Sequence, residues 1–199
     1  MLPTSRTRVA LIGALVATVL ATAGCTTTLD GTADPAPTPT EGPGSDPVAW
    51  AGRVCEAVLS YAVPATSAPD YASSGDLPAV QRTFSNYLGG VVTGAQQGKA
   101  QLAEIGQAPE PTGDEVVTRT TSELEGLAQD FTDVKTEVDK VDANNPDAFM
   151  TTLVRAESTM NAITPPNPIG QLGSPRLQRA AERAEPCRQL TTLATTIPR

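Results

Sequence analysis

The sequence predicts an all-α protein, a bundle of four to five helices with a disulfide joining the first and last. Three observations carry this expectation. Apolar residues recur at intervals of three and four through long stretches. Several of those stretches open with a capping residue followed by proline. Two cysteines fall on the apolar faces of the first and last stretch. No run of strand length alternates between apolar and polar residues, which argues against a sheet.

The first helix is expected over Pro47–Ala62, with Asp46 as its cap and Val48, Ala51, Cys55, Val58 and Ala62 on one side. Asp76–Gln107 forms a second, long helix. Leu77, Val80, Phe84, Tyr87, Val91, Ala95, Leu102 and Ile105 share its face, broadened by Leu88 and Val92. Gly89, Gly90, Gly94 and Gly98 each weaken that helix by about 1 kcal/mol relative to alanine, so close helix contact or a local bend is expected there. The spacing does not match a phosphate-binding glycine loop.

Thr112–Asp142 has the clearest period: Val117, Thr120, Leu124, Leu127, Phe131, Val134, Val138 and Val141 alternate steps of three and four. Thr112 and Glu115 fit a capping box, in which hydroxyl and carboxylate each satisfy a free amide. The short Glu110–Gly113 connection makes the two long helices antiparallel neighbours. A fourth helix is expected over Pro146–Ile163, capped by Asn145, with Phe149, Leu153, Ala156 and Met160 inward. The last runs over Pro175–Thr192 from Ser174, with Leu177, Ala180, Ala184, Cys187 and Leu190 inward. A proline at the first helical position removes an amide that has no helical acceptor anyway. Two longer loops, Val63–Gly75 and Thr164–Gly173, are rich in proline and are the first places to seek binding residues.

Ahead of the helices lie two segments of different character. Residues 1–24 carry Arg6 and Arg8, then an apolar run from Val9 to Leu20, then small residues up to Gly24. That is the pattern of an export signal. The apolar run is too short for a membrane span, which needs about 20 residues. Residues 25–46 are dominated by Thr, Pro, Gly, Ala and Asp, with Leu29 the only large apolar side chain. Such a composition cannot bury enough surface to offset its ordering cost, so an extended tether is expected. The helical domain then occupies residues 47–199.

The segment Ala21-Thr22-Ala23-Gly24-Cys25 resembles the lipobox of bacterial lipoproteins. Ala23, Gly24 and Cys25 match that pattern, while Thr22 stands where the family usually has leucine. The resemblance implies cleavage before Cys25 and transfer of a diacylglyceryl group to its thiol. Two acyl chains are enough for stable anchoring, where one is marginal. Signal, Cys25, tether and a compact Ala- and Thr-rich helical body together resemble the small secreted lipoproteins of actinobacterial cell envelopes. That likeness implies a place, bound to the cell membrane on its extracytoplasmic side, and little about activity.

Of three cysteines, acylation of Cys25 leaves Cys55 and Cys187 as an even pair in an oxidising compartment, where a disulfide is expected. It would close a loop of about 130 residues, which chain-entropy reasoning values at about 5 kcal/mol. The formal charge is −8, and loss of Arg6 and Arg8 with the signal takes it to about −10. That balance argues against nucleic-acid binding.

The chain has no histidine. A Ser-His-Asp triad is therefore impossible, and the commonest metal ligand is missing. Lys99, Lys135 and Lys140 lie outside any Ser-x-x-Lys pattern. Carboxylate pairs such as Asp130 with Asp133, or Glu182 with Glu185, have the spacing of solvated helix faces. No catalytic residue, metal site or cofactor is assigned. The aromatic residues offer the one candidate ligand set: Trp50 with Arg53 near the start of the domain, and Tyr61, Tyr71 and Tyr87 around the first long loop. The alternative for Trp50 is that it closes the end of the core.

The expected function is a binding or accessory module anchored to the envelope, contacting a membrane complex, a lipid or a wall component. A hydrolase or transferase acting on envelope polymers through carboxylates, and a structural spacer without a ligand, are the competing readings.

Overall fold

The computed structural model describes residues 46–67, 69–71 and 75–196. The expected export signal, Cys25 and nearly all of the expected tether lie outside the described residues. Among the described residues the fold is entirely helical: α1 Pro47–Thr66, α2 Leu77–Ala103, α3 Pro111–Lys140, α4 Pro146–Ala162, a single 3₁₀ turn at Ile169–Gln171, α5 Pro175–Arg183 and α6 Glu185–Thr196.

Four of the helix starts follow from their capping chemistry. Asp46, Asp76, Asn145 and Ser174 each accept hydrogen bonds from free amides of the first turn, and a proline stands among the first positions of each helix. The start of α3 differs from the expected capping box. Glu110 occupies the cap position without a side-chain bond, Pro111 opens the helix, and Asp114 instead accepts from the Ala108 amide at 2.8 Å. The carboxylate ties down the preceding turn and leaves Thr112 and Glu115 exposed.

Two boundaries differ from the expected ones near prolines. α1 runs on past Ala62 to Thr66 with Pro64 inside it. The expected single last helix is two helices, which takes the count to six. Pro186 has no amide to donate to Glu182, so the chain breaks at Ala184 (φ −73°, ψ 124°) and restarts as α6. At the other end of α2, the helix stops at Ala103, and Gly106 adopts a positive φ of 77° in the turn to α3.

α1, α2 and α3 form the layered centre, each antiparallel to the next. Ile105, past the end of α2, lies by Arg53 near the start of α1, and Gln81 in the first turns of α2 donates to the carbonyls of Val138 and Val141 at the end of α3. α4 packs back on α3, while α5 and α6 pack on α1. The bundle therefore has two ends. The Trp50 end gathers the start of α1, the α2–α3 turn, the 164–173 loop and α5. The tyrosine end gathers the end of α1, the start of α2 and the end of α3.

The core follows the predicted period closely. Phe84, Leu88, Val91, Ala95 and Leu102 of α2 are buried, as are Leu124, Leu127, Phe131, Val134 and Val138 of α3. At the start of the α3 stripe the buried residue is Val116, and Val117 and Val141 are half-buried at its margins. Gly94 and Gly98 serve close contact and not a bend. A Cβ on Gly94 would overlap the Ser60 carbonyl of α1, and one on Gly98 the Ala57 carbonyl. α1 and α2 thus approach backbone to backbone.

Cys55 and Cys187 are bonded, with a Cα–Cα distance of 5.0 Å across a sequence separation of 132. Both are almost fully buried. The bond clips α6 to the middle of α1, next to Gly52, which packs against Ala184 and Pro186.

Candidate functional site

The five residues singled out from the sequence divide between the two ends. Trp50 and Arg53 are at one, and Tyr61, Tyr71 and Tyr87 come together at the other. Trp50 and Tyr61 stand eleven positions apart on α1, about 16 Å of helix, so the two groups cannot share one small ligand.

Trp50 lines no open cleft. It is 0% exposed, and its ring lies against Gly113 at the start of α3, where a Cβ would come within 3.0 Å of it. With Ala51, Val54, Pro168, Ile169, Leu172 and Ala181 it borders an apolar void of about 10 Å³. A space of that size takes about one water molecule at most. Its Nε1 has no hydrogen-bond partner among the described residues. The indole therefore closes the end of the core. The 164–173 loop lies over it, with Pro166, Pro168 and Leu172 buried. Arg53 is exposed, and its guanidinium reaches the Ile105 carbonyl at 3.5 Å.

The tyrosine end is built differently. Phe84 and Tyr87 are three residues apart on α2 and therefore share a face. Their rings stack at 6.2 Å between centroids with planes only 10° apart. Tyr71, from the loop after α1, meets Phe84 edge-on at 6.2 Å and 70°. Both geometries are those in which the ring quadrupoles attract. The Tyr87 hydroxyl donates to the Ala65 carbonyl at 2.9 Å, tying the last turn of α1 to α2. Tyr61 is buried behind them, while Tyr71 is 41% exposed and Val63 is 44% exposed.

Burial pushes the phenols up, Tyr61 and Tyr71 to about 12, with the neighbouring Tyr87 adding to both; Tyr87 itself is raised by burial. All three stay protonated at neutral pH. The cluster offers ring faces and neutral O–H groups, the equipment for binding an apolar or sugar-like surface. Phe84 completes it and was not singled out from the sequence. The three-residue spacing of Phe84 and Tyr87 carried that signal.

A shallow polar groove of about 180 Å³ runs between α2 and α3, lined by Gln96, Lys99, Glu125, Gln129 and Thr132. Lys99 and Glu125 pair across it at 2.8 Å. Asp130 and Asp133 are exposed, and Asp133 accepts from Gln129 at 2.9 Å. Among the described residues no group of three or more Cys, Asp or Glu is arranged to hold a metal ion, and no helix is long and apolar enough to cross a membrane.

Compared with protein-family models, curated proteins and solved structures, the chain matches none.

Proposed function

We propose that the protein is a lipid-anchored, extracytoplasmic binding or accessory module that offers its tyrosine end to a partner in the cell envelope. The observation that carries this reading is Tyr71, 41% exposed and set edge-on against Phe84 of the stacked Phe84–Tyr87 pair. A loop aromatic braced by a ring pair and left open to solvent is a rigid anchor of the kind that dominates binding surfaces. The connectivity is consistent with it. The chain enters α1 at Asp46, at the Trp50 end, and α1 is about 30 Å long, so Tyr71 lies at the opposite end of the bundle from that entry point.

The test is photocrosslinking in cells from a reactive residue placed at position 71, with a second placed at exposed Thr151 of α4 as reference. Adducts of one defined mass from position 71, absent from position 151, support the reading. Equal, diffuse labelling from both positions overturns it. Mass spectrometry of the recovered material distinguishes an envelope protein from a bound lipid.

A further inference from the structure

Positive charge is unevenly placed on this acidic chain. Arg176, Arg179, Arg183 and Arg188 fall within thirteen residues, a stretch that also holds Glu182 and Glu185. At 100° per residue, Arg176, Arg179 and Arg183 lie within about 60° of one another on α5. The adjoining face of that helix, Leu177, Ala180 and Ala181, is buried, and α5 packs on α1. All three arginines are exposed.

Arg188 extends the strip from the start of α6, donating to the Arg183 carbonyl at 2.7 Å. Three carboxylates lie near the strip: Glu185 pairs with Arg188, Glu110 reaches Arg176 at 3.8 Å, and Glu182 stands about 60° round α5 from Arg179 without an ion pair among the described residues. Among the described residues no carboxylate pairs with Arg179 or Arg183.

The strip lies at the end of the bundle where the chain enters α1. Ala181 shares the Trp50 void, Ala184 packs on Gly52, and Gly173 approaches Thr112. Twenty residues separate Cys25 from Asp46. We infer that α5, through Arg176, Arg179 and Arg183 and continued by Arg188, docks on the anionic head groups of the membrane that holds Cys25; this rests on the reading of Cys25 as acylated. Guanidinium groups match phosphate oxygens in geometry as well as charge. So few arginines bind anionic lipid only weakly from solution, but a short tether holds them at high effective concentration beside the surface. Docking through α5 would leave the tyrosine end pointing outward.

The test uses the chain purified from membranes, with the mass at Cys25 measured. It is reconstituted into vesicles of phosphatidylcholine alone or with about one-third phosphatidylglycerol. Phenylglyoxal labelling of Arg179 and Arg183 is followed by peptide mass spectrometry, with exposed Arg82 at the tyrosine end as internal reference. Labelling of the strip is expected to slow by about fivefold on anionic vesicles and to recover at about 0.5 M salt. In Arg179→Glu/Arg183→Glu the chain stays on the vesicles, but the slowing at Arg176 and Arg188 disappears. Equal labelling on both vesicles, from chain that is acylated and vesicle-bound, overturns the docking and leaves the anchoring intact. An unmodified Cys25 on chain that does not float with vesicles overturns both.

Discussion

Gly98 of α2 faces the Ala57 carbonyl of α1 with no room for a single methyl group between them. Four residues earlier, Gly94 stands in the same relation to Ser60. These two contacts set how closely the two helices approach, and they separate the glycines of α2 into two kinds.

Alanine at Gly94 or Gly98 is expected to lower stability by about 1–3 kcal/mol, because the obstructing atoms are backbone and cannot rotate away. Alanine at Gly90 of α2 or Gly126 of α3, where a Cβ would meet nothing within 4 Å, is expected to raise stability by up to about 1 kcal/mol through helix propensity alone. Urea unfolding of the four variants reads both signs. A stabilised Gly98→Ala chain would refute the backbone contact.

The Cys55–Cys187 bond links α6 to the rest of the bundle across most of the domain's length. Cys55→Ala/Cys187→Ala is expected to lower unfolding free energy by about 2–5 kcal/mol. Amide exchange in α6 should rise before that in α2 and α3, since the short terminal helix loses its covalent tie while the long pair keeps its packing. Uniform loss of protection across all helices would contradict this order.

The three tyrosines of the chain all lie in one cluster, so absorbance of tyrosinate reports on that end of the bundle alone. In the folded protein Tyr61 and Tyr71 should ionise near pH 12, against about 10 after unfolding. The sign for stability follows. Between those values the unfolded chain has released protons that the folded chain still holds, so the phenols' contribution is complete below pH 10 and is lost as pH rises through about 12. Spectrophotometric titration beside thermal melts at pH 9 to 12 checks both statements. Ionisation of all three at about pH 10 in the folded chain would rule the cluster out.

Acylation makes a prediction independent of the fold. The mature chain should begin at Cys25 with the mass of a lipid adduct, and Cys25→Ser should move the protein from the membrane fraction to the medium. Intact-mass measurement and fractionation decide it. Unmodified chain in the medium would remove the basis for anchoring and for membrane docking.

The helices were legible because their signals are local. Seven or eight apolar residues at steps of three and four allow one reading only for α3, and cap-then-proline pairs mark the starts of α1, α4 and α5. The inward placing of Cys55 and Cys187 was visible for the same reason. Pro186 was equally visible, and its break follows from a missing amide. The inward period of Ala184 and Cys187 continues across the break, so the two helices read as one.

The sequence alone determined the helical class, the face each helix buries and the pairing of the cysteines, because period, caps and composition are properties of neighbouring residues. Only the tertiary structure decided which end each aromatic residue occupies. Trp50 and the tyrosines are equally good candidates by type. Docking of the helices seals the indole against Gly113 under the 164–173 loop and brings Tyr71 edge-on to Phe84. Contacts between residues distant in the chain carry no local period, so they emerge only when the helices are docked.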